Sequence, residues 1–157
     1  MSWSDFERAA PSLARAAQAR LEATRVALLG TIRADGSPRI NPIEPYFAGG
    51  ELLLGAMAGS LKARDLRRDP RCVLHSAISD PDAGEQEFKL YGRAVPIETA
   101  DVPAEAWWRS HPVDAADVFA FRVARASCVA WALERGEMTV TQWSKRDGLK
   151  ETTRAYP

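Results

Sequence analysis

Ser60 and Lys62 stand in the run ELLLGAMAGSLKARDLRRDPR (Glu51–Arg71), and their types and spacing suit chemistry. A serine just before a helical segment is a natural N-cap. A lysine two residues on falls in the first helical turn, where free N–H groups and the positive end of the helix dipole already favour an anion. An ammonium there adds a mobile point charge suited to phosphate. Gly55, Ala56, Ala58 and Gly59 precede the turn and carry almost no side chain, so a ligand can lie against their backbone. Leu52, Leu53 and Leu54 read as a strand buried on both faces, and Pro70 stops the helix. The unit reads as a phosphate cradle beside a flat wall. Taken alone, the same turn reads equally well as the solvated start of a surface helix. Arg64, Arg67, Arg68 and Arg71 read as a solvated face, with Asp65 and Asp69 as helix ion-pair partners.

Other chemistries find little support. His75 lies in a strand and reads as a satisfied barrel histidine; His111 precedes Pro112 and reads as a surface residue. No Ser–His–Asp pattern and no metal-ligand spacing stands out, so hydrolase and metal chemistry are not expected. Gly30 and Gly36 form no dinucleotide fingerprint. Cys72 and Cys128 lie in strand-like runs and read as small buried hydrophobes of a reducing compartment. The 157 residues suffice for one domain over 1–157, and 21 basic against 21 acidic residues give a net charge of zero. That balance argues against general binding of nucleic acid or a membrane surface. No apolar run is long enough to span a bilayer and no leader pattern is seen, so a cytoplasmic protein is expected.

The elements that must position the turn are mostly strands. Residues 4–24 form a helix that packs or covers, capped by Ser4 or Ser12. Arg25–Arg33 is a strand apolar on both faces, followed by the turn Ala34–Ser37. Pro38–Phe47 returns as a second strand; Pro42 and Pro45 make it bulged or an edge. The third strand opens at Glu51, the fourth is Arg71–Ile78, and a polar loop covers Ser79–Gln86. Glu87–Glu98 is the fifth, with Gly92 marking a kink or close approach. Val102–Arg109 is a short helix carrying Trp107 and Trp108. Val118–Val123, Ala126–Leu133 and Met138–Ser144 are the last strands, and 145–157 is an extended tail. Hairpins without a repeated strand–helix alternation predict a mainly β fold, an antiparallel barrel with helices at its ends. The doubly apolar strands predict a two-fold homodimer.

The order strand, DGSP turn, proline-bearing strand, Gly-Gly turn, strand, SLKARDLRRDPR and strand resembles the pyridoxamine-phosphate-oxidase-like family of FMN-binding split β-barrels, including its relatives that use the deazaflavin coenzyme F-420. The likeness runs best from Val26 to Val95, and KARDLRRDPR is its most specific part. It implies an antiparallel split β-barrel and a homodimer with cofactor at the interface. It implies that Ser60, Leu61 and Lys62 hold the flavin phosphate, that Asn41, Pro42, Ile43 and Glu44 present backbone to the ring, and that Gly55, Ala56 and Met57 lie beside it. It also implies an aromatic near the C-terminus that reaches the partner's ring, for which Trp143 is the candidate. The chain departs from true pyridoxamine-phosphate oxidases at Leu61, where they carry arginine, and at Asn41, where they carry a basic residue. It also lacks their C-terminal Arg-X-His signature, so oxidation of vitamin B6 is not expected. Two function classes follow. One is an oxidoreductase using FMN or the deazaflavin to move hydride to or from a small conjugated substrate. The other is a non-catalytic module that binds or stores flavin or haem on the same barrel.

Overall fold

The computed structural model describes residues 1–78, 84–102 and 116–155. Trp107, Trp108 and His111, the short helix expected around the two tryptophans and most of the 79–86 loop lie outside these. Two helices open the chain: α1 (Trp3–Ala9) and α2 (Pro11–Thr24). One continuous helix over 4–24 was expected. The chain instead breaks at Ala10, because Pro11 has no N–H to continue a ladder and its fixed φ suits a helix's first position. The cap is Ser2, in a reciprocal capping box with Asp5, and not Ser4 or Ser12.

Among the described residues eight strands follow: β1 (Ala27–Ile32), β2 (Pro38–Ala48), β3 (Glu51–Met57), β4 (Arg71–Ser76), β5 (Glu87–Pro96), β6 (Ala116–Ala132), β7 (Glu137–Ser144) and β8 (Gly148–Ala155). Helix α3 (Leu61–Arg68) sits between β3 and β4. The sheet is antiparallel in the order β3-β2-β1-β4-β5-β6-β7-β8, and β3 also pairs with β6, which closes a barrel. The barrel that the patterning predicts is therefore the fold, and its details explain the sequence. Pro38–Ile43 pair with β1, whereas Glu44–Ala48 pair with β3. Each half of β2 thus keeps one side free of a ladder, which is how a strand tolerates Pro42 and Pro45 without lying at the rim of the sheet.

β6 is one strand of 17 residues rather than the two expected. Tyr91 faces Arg125 and Gly92 faces Val123, so Ala124 is an extra residue in a bulge. That bulge breaks the alternation that marks a strand in sequence. Gly92 is required there, since a Cβ at that position would lie 2.1 Å from the Arg122 carbonyl oxygen. The near half of β6 closes the barrel against β3, and the far half carries β7 and β8. The tail expected to be merely extended is strand β8, paired with β7 from Gly148 to Ala155 with every residue exposed. Its polar residues alternate with nothing buried, so periodicity could not mark it as a strand.

Helices α1 and α2 pack on the barrel through a buried cluster. Trp3 meets Phe6 at 5.3 Å and Phe47 at 4.7 Å between ring centroids, and Phe6 meets Trp143 at 5.0 Å. The Trp3 indole donates to Gln18 Oε1 at 3.0 Å, which satisfies its one polar atom. Leu29, Leu52, Leu54, Leu74, Phe88, Phe119 and Phe121 complete the same core. Among the described residues no helix is long and apolar enough to cross a membrane.

Candidate functional site

Gly59 adopts φ +66°, a conformation open to glycine, and the turn closes with the Ser60 N–H bonded to the Met57 carbonyl at 3.0 Å. Ser60 then caps α3: its backbone is extended and its Oγ accepts from the Ala63 N–H at 3.4 Å. The Arg64 N–H reaches the Ser60 carbonyl. The N–H groups of Leu61 and Lys62 have no partner among the described residues, as the first turn of a helix dictates. The Lys62 ammonium is half-buried and donates to the Pro42 carbonyl at 2.7 Å, so the turn and β2 form one surface. Burial lowers the affinity of this ammonium for its proton, while the Glu44 charge pulls the other way. An ammonium has three donors, and one is in use here.

The site residues expected from the sequence divide by strand parity. Pro42 and Glu44 are exposed on β2, and Glu44 pairs with Gly55 of β3. Met57 and Leu61 are 75% and 53% exposed. Together with Ser60 and Lys62 they border one surface. Ile43 and Ala56 point into the core instead, at 3% and 4% exposure, so only their backbone remains for a ligand. The Asn41 Nδ2 is buried without an acceptor. Within its own chain Trp143 lies away from this surface, whereas the role expected of it is toward a partner's ring. It is 4% exposed and packs on Phe6 within its own chain. It sits opposite Ala126 on β6, nine residues beyond Asp117, which touches the turn; that is about 30 Å of strand. A tryptophan in a strand near a terminus looks the same in sequence whether it serves core or ligand.

Two carboxylates that build the site were missed as such. Asp65, buried at 4% exposure, accepts from Thr31 Oγ1 at 3.1 Å, Arg39 Nε at 2.7 Å and Arg68 at 3.1 Å. Burial pushes its pKa up, but the three donors outweigh that and hold it below the usual carboxylate range. Asp117 accepts from the Gly59 N–H at 2.9 Å and pairs with Arg67, which also lies over Phe119. Apart from Arg68, the helix ion-pair partner expected of Asp65, these partners are far off in sequence, so no local pattern could show them. The arginines therefore separate. Arg68 also bonds the Ile32 carbonyl, Arg71 pairs with Asp69, and Arg64 alone of the four is exposed without a partner among the described residues. Burial raises the Cys72 thiol to about 12 and the Cys128 thiol to about 11, so neither is a nucleophile at neutral pH. His75 Nδ1 lies 2.7 Å from the Ser76 carbonyl, the satisfied state expected of it.

The donor set fits a phosphate: two free N–H groups at a helix start, the Ser60 hydroxyl and an ammonium with spare donors. The orphan amide of Asn41 fits an acceptor atom on the body of such a ligand. A closed antiparallel barrel with this turn between its third and fourth strands is an FMN-binding split barrel of the pyridoxamine-phosphate-oxidase type. The chain belongs to the pyridoxamine 5'-phosphate oxidase family, which it matches over residues 13–131. No curated protein sequence matches it closely enough to count as a relative. Among solved structures, PhzG from Burkholderia lata, in complex with tetrahydrophenazine-1-carboxylic acid, shares the fold with a TM-score of 0.65 and 15% identity, over 92% of this chain and 89% of that one. A pyridoxamine 5'-phosphate oxidase-related, FMN binding protein from Nostoc punctiforme has a TM-score of 0.61 at 12% identity, over 94% and 96%. A heme binding protein from Mycobacterium smegmatis has a TM-score of 0.55 at 17% identity, over 90% and 88%. At these identities the likeness is one of fold.

Proposed function

We propose that this chain is a flavin-dependent oxidoreductase that binds FMN by its phosphate at the start of α3. It would move hydride to or from a small conjugated substrate. The observation that carries the reading is the unspent donor set of the Leu61 and Lys62 N–H groups and the Lys62 ammonium, beside a β2 backbone that has no ladder on one side. Bound flavin would supply the hydride chemistry, and the protein supplies position and electrostatics. Lys62 holds the charge of the phosphate, and Asn41 offers a donor to the ring. Pro42 and Glu44 give the ring a wall. The deazaflavin coenzyme F-420 also carries phosphate and would use the same cradle.

The site is bordered by large apolar side chains in contact with solvent: Val26 (39% exposed), Leu28 (44%) and Ile40 (70%), besides Met57 and Leu61. Such a patch supports a two-fold homodimer that covers it, with the cofactor between the subunits. Sedimentation at micromolar concentration should give the mass of two chains; a monomer alone would contradict the dimer.

The second reading, a module that binds flavin or haem without turnover, draws on the heme binding neighbour. One experiment addresses both readings. The purified protein is titrated with FMN, the deazaflavin and haem, then reduced anaerobically and offered conjugated acceptors. Saturable FMN or deazaflavin binding followed by reoxidation with an acceptor is expected. Flavin that binds but never turns over would favour the module, and a preference for haem would remove the phosphate-based reading.

A further inference from the structure

Helix α3 is bonded to β1 and β2 at three levels. At its start the Lys62 ammonium donates to the Pro42 carbonyl of β2 at 2.7 Å. One turn further on, Asp65 accepts from Thr31 Oγ1 of β1 at 3.1 Å and from Arg39 Nε of β2 at 2.7 Å. At its end Arg68 donates to the Ile32 carbonyl and, at 3.1 Å, back to the second oxygen of Asp65. Thr31 and Arg39 face each other in the β1–β2 register, so one carboxylate spans both strands. Arg39 lies three residues before Pro42 on β2, and Asp65 lies three residues after Lys62 on α3, which makes those two neighbours on the helix surface. Asp65 is 4% exposed and both its oxygens are engaged, so it meets no ligand itself.

We propose, on the FMN reading above, that Asp65 is a positioning residue of the phosphate cradle. It acts through Lys62 and through the Leu61 and Lys62 N–H groups. It fixes how α3 sits against β2, and so where those donors point relative to the β2 wall. Lys62 cannot set this alone, because its flexible four-carbon stem follows a helix that slides or rolls. A buried carboxylate tied to a rigid guanidinium and a hydroxyl resists both motions. A site built of fixed N–H groups works only when its geometry is held to about 0.5 Å. The sign of the effect separates this role from one exerted through charge. Asp65 is a negative charge one turn from the start of α3, flanked by Arg39 and Arg68. Removing it leaves two guanidiniums uncompensated, and a role through charge alone would then tighten phosphate binding. A positioning role weakens it.

The test titrates FMN, and riboflavin, which lacks the phosphate, into the parent, Asp65→Asn and Thr31→Val, followed by flavin fluorescence. The parent should bind FMN more tightly than riboflavin. Asp65→Asn should weaken FMN about tenfold and leave riboflavin unchanged, since a helix start displaced by about 0.5 Å spoils only the phosphate bonds. Thr31→Val removes one of the three bonds without altering charge, and should weaken FMN in the same direction by less. In a Lys62→Ala background Asp65→Asn should cost less than it does in the parent, because the two residues serve one phosphate. The proposal is overturned if Asp65→Asn binds FMN as the parent does or more tightly, if it weakens riboflavin equally, or if its effect is undiminished beside Lys62→Ala. If Asp65→Asn does not fold, Thr31→Val decides by the same comparison of the two flavins. A parent that binds FMN no more tightly than riboflavin overturns the phosphate reading itself, and leaves Asp65 no cradle to position.

Discussion

Replacing Lys62 by alanine should weaken FMN binding about ten- to a hundredfold while the fold stays intact. A charge-assisted bond to phosphate is worth about 1.5–3 kcal/mol, and each ~1.4 kcal/mol is a factor of ten in affinity. Within the protein itself the variant gives up one bond to the neutral Pro42 carbonyl at a half-buried site, so little stability goes with it. Arg64→Ala is the matched control: an exposed cation on the same helix, with no partner among the described residues. Fluorescence titration of both variants with FMN and with the deazaflavin separates the readings. If both keep near-parental affinity for both cofactors, α3 begins as an ordinary surface helix and the phosphate cradle is wrong.

Replacing Asp65 by alanine should cost about 3–5 kcal/mol of stability, because it strands the cations that the carboxylate holds. Arg39 has a side chain only 18% exposed, and Thr31 is 2% exposed, so neither can recover its bond from water. At this chain length that loss lowers Tm by roughly 10 °C. The parent should also lose this contribution in acid. The Asp65 pKa is depressed in the folded state, so its stabilisation is whole above the ordinary value of 3.8 and disappears as pH falls through the lower folded value. Urea midpoints measured from neutral pH downward should therefore fall more steeply for the parent than for Asp65→Ala. A variant within about 1 kcal/mol of the parent at neutral pH would show that the cluster is not a strut.

The barrel and the turn could be read from the sequence because their signals are local. The DGSP and Gly-Gly turns, the leucine run and the Ser60 cap each fix their own few residues, and the strands between them follow. Pro42 and Pro45 also announced a strand with a bare side, although not that β2 achieves it by changing partners midway. What escaped was non-local. The Ala124 bulge, the pairing of the polar β8 strand, and the Asp65 and Asp117 clusters all depend on residues brought together only by folding. Trp143 shows the converse limit. Its type and position suit a role against a partner's ring, and within its own chain Phe6, more than a hundred residues earlier, packs against it, a contact no local pattern could show.

The closure of the barrel also sets an order of assembly. β1–β2, β2–β3 and β4–β5 join strands that follow each other in the chain, and β1 reaches β4 across α3, but β3 finds its second partner only in Ala116–Ala120, some sixty residues later. Until that segment arrives, the bare rim of β3 offers its Leu53 and Leu54 backbone to any passing strand. Loop closure over such a distance is slow compared with hairpin formation. β6, once seated, carries β7, and β7 carries β8, so the C-terminal ribbon should be the last part to form and the easiest to open. Slow hydrogen exchange should be concentrated in β3, β5 and the near half of β6, and should fade along β7 to the wholly exposed β8.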